Sequence, residues 1–293
     1  MKENILICGA GSIGVFLGAK LLDTGYQTTL FGRRKISHLH DSILINGNLY
    51  KTPRRIYTLE PHAKYDFIFI TTKLYDSVEI LKELRDKNIS CDVLVLIQNG
   101  LVDQETLKDF QSHPGFVTVS VFEGYHLLEN QLLATKSGMG WQTENSPSGI
   151  KLRDLLKSVG IRAVATDNLD SIRSEKMILV NAVGALSAIE KKTLGELITE
   201  PKTKKIIDAI INESYAVLIG EHALPKLFWV KRHFYKTIHQ IKTHYSSMYQ
   251  DVISGRKTEI EYLNGYIVKL GKKKEIPTPI NEDIYYKIKN LNA

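Results

Sequence analysis

The first residues in this chain able to do chemistry are three glycines. Gly9-Ala10-Gly11-Ser12-Ile13-Gly14 has the spacing G-x-G-x-x-G. It follows the apolar run Asn4 to Cys8 and opens a segment, Ile13 to Thr24, whose apolar residues recur three and four apart. In a strand–turn–helix unit the first glycine permits the tight turn, the second lets a pyrophosphate approach the backbone, and the third lets helix and strand pack closely. The phosphates then lie on the positive end of the helix. A glycine turn with no ligand is the plain alternative, and the position between strand and helix favours a dinucleotide. The next chemical signal follows the second strand, Gln27 to Phe31, where the chain reads Gly32-Arg33-Arg34-Lys35. An acid there would bind the ribose hydroxyls of NAD, whereas an arginine fork matches a 2′-phosphate. Arg33 is therefore expected to read the phosphate, and NADP(H) is the expected cofactor; a basic surface turn is the alternative.

The elements that must position these residues follow from the pattern of the first half. Short β-branched runs alternate with helical periodicity, as in a parallel sheet wrapped by helices. Strands are expected at Asn4 to Cys8, Gln27 to Phe31, Phe67 to Thr71, Val93 to Ile97 and Val117 to Val121, with a helix over Tyr75 to Lys87 and a hairpin around Asn46-Gly47. After a strand at Arg162 to Thr166, helices are expected over 169–190, 202–222, 227–240, 256–271 and 279–291. The fold class is α/β, an N-terminal Rossmann-type doubly wound sheet with a C-terminal all-helical domain, divided as 1–167 and 168–293.

Composition narrows the class. An apolar fraction of 43% and a charged fraction of 24% are those of a globular protein. No run approaches the roughly 20 apolar residues of a membrane helix, and no cleavable leader precedes the first strand; a cytoplasmic location is expected. The net charge of +7 is spread out. Its densest run, Lys272-Lys273-Lys274, lacks interleaved aromatics and reads as a solvated loop, so neither a nucleic-acid nor a membrane partner is expected. Cys8 and Cys91 read as inert core thiols. His38, His40, His233, His239 and His244 lack metal-ligand spacing, so no metal is expected. Phe228, Trp229, Phe234 and Tyr235 have helical spacing and read as core.

Further along, Thr71-Thr72-Lys73, Gln98-Asn99-Gly100, Ser246-Ser247-Met248-Tyr249-Gln250-Asp251 and Lys257-Thr258-Glu259-Ile260 complete a pattern. With the glycines, these segments make the chain resemble the ketopantoate reductases (2-dehydropantoate 2-reductases) over nearly its whole length. The Ser-Ser-Met-x-Gln-Asp segment is the most specific. The resemblance implies cytoplasmic NADP-dependent reduction of 2-dehydropantoate to pantoate, in pantothenate and coenzyme A biosynthesis. It implies that Lys176 is the catalytic lysine, hydrogen-bonding the ketone and supplying the proton, and that Glu259 assists beside it. Ser247 would hold the substrate carboxylate, Lys73 and Asn99 would sit at strand ends beside the cofactor, Asn99 also meeting the substrate, and Glu259 would also meet the cofactor. A cationic donor suits this chemistry, because negative charge develops on the ketone oxygen as hydride arrives. A homodimer is left open.

Three positions depart from the family pattern. Where the family has a tryptophan two residues before the lysine and asparagines four and eight after it, this chain has Ser174, Val180 and Gly184. The nearest asparagine, Asn181, is rotated by about 100° from Val180 on a regular helix. Three readings stay open: a one-residue helix irregularity that brings Asn181 to the substrate, a different and less hydroxylated 2-oxo acid, or an NADP(H)-binding sensor without catalysis.

Overall fold

The structure, a computed structural model, describes residues 2–33, 40–98, 101, 104–135, 138–221 and 223–291. The chain divides into two compact units, one of residues 1–99 and 103–169 and the other of residues 100–102 and 170–293.

The first unit runs β1 (Asn4–Cys8), α1 (Ser12–Asp23), β2 (Gln27–Phe31), β3 (Ser42–Ile45), β4 (Asn48–Lys51), β5 (Arg54–Ile56), β6 (Lys64–Ile70) and α2 (Leu74–Asp86). It continues with β7 (Ser90–Ile97), α3 (Gln104–Gln111), β8 (Phe116–Val121), β9 (Gly124–Leu128), β10 (Gln131–Thr135), β11 (Trp141–Glu144), α4 (Pro147–Ser158) and β12 (Ala163–Thr166). The main sheet has the order β12-β11-β8-β7-β6-β1-β2-β5. Its pairs are parallel except β11 on β8. The central strand β1 is a continuous apolar run because helices or strands cover both of its faces. Its neighbours lie to either side, with Cys8 opposite Phe31 of β2 and Ile70 of β6. All three carboxyl ends finish at one level, where the crossovers diverge, which is where an open α/β sheet binds ligands.

A second sheet, β4-β3-β10-β9, packs on α1. Phe16 of α1 meets Tyr125 of β9 with ring centroids 4.4 Å apart, and Lys20 Nζ donates to Tyr50 Oη of β4 at 2.6 Å. α1 is thus held from two sides, which fixes the direction of its N-terminus. The strands β9 to β11 and the helix α4 carry weaker periodicity and are not among the sequence expectations.

The second unit comprises α5 (Leu169–Glu190), α6 (Leu194–Thr199), α7 (Pro201–Leu218), α8 (Leu227–Gln240), α9 (Ser247–Ile253), a 3-10 turn (Ile260–Tyr262), α10 (Asn264–Lys273) and α11 (Pro279–Leu291). Apolar side chains of α5, α7, α8, α10 and α11 form its core, including Met177, Ile178, Ile207, Phe234, Ile267 and Ile284. Glu213 of α7 accepts from the backbone N–H of Ile280 and Asn281 and from Asn281 Nδ2, capping the first turn of α11.

Three expectations change here. The helix expected over 256–271 is the 3-10 turn followed by α10, because Leu263 leaves helical geometry at φ −114° and ψ −104°. Lys272 and Lys273 close α10 instead of lying in a loop, a position where cations meet the negative end of the helix. Lys272 also pairs with Glu282 at 2.7 Å. Phe228 and Trp229 are 66% and 55% exposed, whereas Phe234 is buried. The core face of α8 is Val230, Phe234 and Ile238, four residues apart, and the two aromatics stand off it.

Candidate active site

The glycine turn follows β1. Gly9 has φ +124°, a backbone that side chains disfavour, and a Cβ on Gly14 would lie 1.9 Å from Gly9 O. Thr71, at the end of β6, clamps the turn: its Oγ1 donates to Gly9 O at 2.9 Å and to Cys8 O at 3.2 Å. Thr71 belongs to a segment quoted from the sequence, but its contact with the glycines is visible only once β6 pairs with β1. Gly11 is the N-cap of α1, and a Cβ there would meet nothing within 4 Å. The backbone around Gly11 is therefore open for an anion, the first turn of α1 carries no acid, and this fits a pyrophosphate. Ala10, Ser12 and Ile13 complete the turn.

Lys73 is the N-cap of α2 and half-buried. Gln98 Nε2 ties the same corner together, donating to Thr72 O at 2.7 Å and Ser77 Oγ at 2.8 Å. Arg33, just past β2, is engaged by acids of α2. Its Nη1 donates to Glu79, and its Nε lies 3.8 Å from Glu83. Arg34, Lys35 and Asn99 lie outside the described residues.

In the second unit Lys176 projects from α5 one turn beyond Arg173, which is buried, and near Glu259, also buried. Burial, then the Arg173 guanidinium, push the Lys176 ammonium down from 10.5 to about 8, with the Glu259 carboxylate opposing both. Arg173 is not among the residues singled out from the sequence; a buried arginine at i−3 from a lysine is its only signal. Ser247 is the first residue of α9 and exposed. Its neighbour Ser246 caps that helix, accepting from Tyr249 N at 3.0 Å. Ser246 Oγ also donates to Gly184 O at 2.8 Å, fixing α9 to α5.

Asn181 sits on an uninterrupted α5, about 140° around the helix from Lys176 at 100° per residue. It is fully buried, with no hydrogen bond to either side-chain polar atom, and no local irregularity turns it toward the lysine. Cys8 is a core thiol, whereas Cys91 is only partly buried and its Sγ lies 3.5 Å from His113 Nε2. Burial raises both, Cys91 to about 12, and Cys8 is fully buried. Among the described residues no cluster of His, Cys, Asp and Glu could hold a metal, and no helix is long and apolar enough to cross a membrane.

A Rossmann-type unit with an open glycine turn, joined to a helical unit with a half-buried lysine beside an acid, is the architecture of a nicotinamide-dependent oxidoreductase. Residues 5–140 match the family described as "Ketopantoate reductase PanE/ApbA", and residues 168–292 match "Ketopantoate reductase PanE/ApbA C terminal". The chain belongs to the ketopantoate reductase family. A curated 2-dehydropantoate 2-reductase of Aquifex aeolicus is 28% identical, covering 99% of this chain and 97% of its own. A structure of D-mandelate dehydrogenase with NADH and anilino(oxo)acetate has TM-score 0.88 at 23% identity, covering 99% and 98% of the two chains. The dimeric ketopantoate reductase from Staphylococcus aureus has TM-score 0.81 at 17% identity over the same shares.

Proposed function

We propose that this protein reduces the ketone of a 2-oxo acid, RCOCOO⁻ + NADPH + H⁺ giving RCH(OH)COO⁻ + NADP⁺. The observation that carries this is Lys176, half-buried between Arg173 and Glu259 and lowered to about 8. When bound, the nicotinamide supplies hydride to the ketone carbon. Lys176 Nζ holds the ketone oxygen, stabilises the charge that gathers there and gives up a proton to it. An ammonium lowered to about 8 is still largely charged at neutral pH and is a stronger acid than an ordinary lysine. Glu259 holds the ammonium in place, and Ser247 meets the substrate carboxylate.

In the first unit, Gly9 to Gly14 and the N-terminus of α1 take the pyrophosphate, Lys73 and Asn99 flank the cofactor, and Arg33 takes the 2′-phosphate. NADPH rather than NADH is supported by Arg33 and by the absence of an acid at the end of β2. The D-mandelate dehydrogenase structure shows the fold holding NADH in that protein, so both cofactors belong in the assay. Ketopantoate, the acid for which the curated relatives are named, is the first substrate to try. The Staphylococcus aureus precedent supports a homodimer. Following NADPH oxidation at 340 nm against a panel of 2-oxo acids tests the reading; no turnover of any of them would overturn it.

A further inference from the structure

Beyond Lys176 the same face of α5 presents Val180 and Gly184 before it reaches Ser187. Counting 100° per residue, Arg173, Lys176, Val180, Gly184 and Ser187 fall within about 80° of one another. Val180 stands about 6 Å along the axis from Lys176 and Gly184 about 12 Å. Val180 is half-buried and presents only methyl groups. Gly184 is buried, yet a Cβ built on it would find one heavy atom within 4 Å, Val180 Cγ1 at 3.7 Å. Close packing therefore does not require a glycine here, and in mid-helix glycine is a poor residue.

The polar atoms at the far end of this wall are already committed. Gly184 O accepts from Ser246 Oγ at 2.8 Å. Ser187 Oγ donates to Lys192 O at 2.8 Å and accepts from Ser246 N at 3.3 Å. Asn181, the nearest amide, is fully enclosed. A substrate hydroxyl laid against this wall would give up water without gaining a partner, a loss of about 5- to 150-fold in binding. An aromatic or branched aliphatic group would lose nothing and would cover Val180.

Given the reading in which Lys176 holds the ketone, we propose that the preferred substrate is a 2-oxo acid with a bulky apolar side chain, seated against Val180 and in the space left by Gly184. The side chain of such an acid starts at the ketone carbon and points along the helix, past Val180 and toward Gly184.

The test is steady-state kinetics of the full chain with NADPH and, separately, phenylglyoxylate, 4-methyl-2-oxopentanoate, pyruvate and ketopantoate. We expect kcat/KM for the first two to exceed that for ketopantoate by about 10-fold or more. Gly184→Ala, which places a methyl in the recess at an ordinary contact distance and improves helix propensity, is expected to lower the phenylglyoxylate-to-pyruvate ratio of kcat/KM about 10-fold. Its folding is verified by an undiminished melting temperature. Ketopantoate turned over as well as or better than the apolar acids, or an unchanged ratio in the variant, would overturn the substrate class while leaving the reductase reading intact. No turnover of any acid would instead overturn the reductase reading.

Discussion

Lys176 is costly to the fold in its charged form. Its folded value, about 8, lies below the unfolded 10.5. Below pH 8 both states are protonated and the native state bears the whole penalty, about 3 kcal/mol at 1.36 kcal/mol per unit. Between pH 8 and 10.5 the unfolded chain holds the proton longer, so this contribution to stability rises with pH. Lys176→Met is therefore expected to be more stable than wild type at pH 7 by up to this amount, with the difference shrinking above pH 8, as read by urea unfolding. The same variant should lose about 10²- to 10⁴-fold in kcat while its NADPH affinity, measured by fluorescence titration, stays within twofold. In the wild type, kcat/KM for reduction should fall tenfold per unit above about pH 8. At Arg33 the competition is between ligands: a 2′-phosphate must draw the guanidinium from Glu79 and Glu83 or approach two carboxylates. Glu79→Gln is expected to tighten NADPH about 2- to 5-fold, the range of an exposed ion pair, with a smaller effect on NADH. Equal effects on both cofactors would remove Arg33 from the phosphate site.

At the scale of elements, short helices are set by their caps more than by their sequences. α9 has seven residues, too few to be stable alone, and Ser246 both caps it and binds α5. Ser246→Ala is expected to cost about 1–3 kcal/mol, read as a lower melting temperature, and to raise KM for the acid through Ser247. Long elements were legible without contacts. Strands β1 and β2 and helices α8 and α11 fall at the residues expected from the sequence, the helices because each repeats one buried face for several turns and β1 because it is an unbroken apolar run. α6 and α9 were not legible, because their stabilising bonds run to distant residues. Thr193 and Glu196 close a capping box on α6, and the Gly195 N–H reaches Lys242 O at 2.8 Å.

For the whole molecule, a cofactor that binds only the native first unit must stabilise it. NADPH at about 100 times its Kd should add about 2.7 kcal/mol, seen by calorimetry as an upward shift in melting temperature; no shift would argue against the glycine turn as the site. The chain of residues by itself determined the α/β class and the glycine turn, because these depend on local periodicity and on glycine's backbone freedom. Family resemblance added Lys176 and Glu259 from matched motifs. Only the tertiary structure showed Thr71 closing the glycine turn and Arg33 held by acids of α2. It likewise placed Arg173 beside Lys176 and turned Asn181 into the core. Each of these is a relation between side chains that are distant in sequence or on different faces of one helix, and such relations exist only after packing has chosen which face is buried.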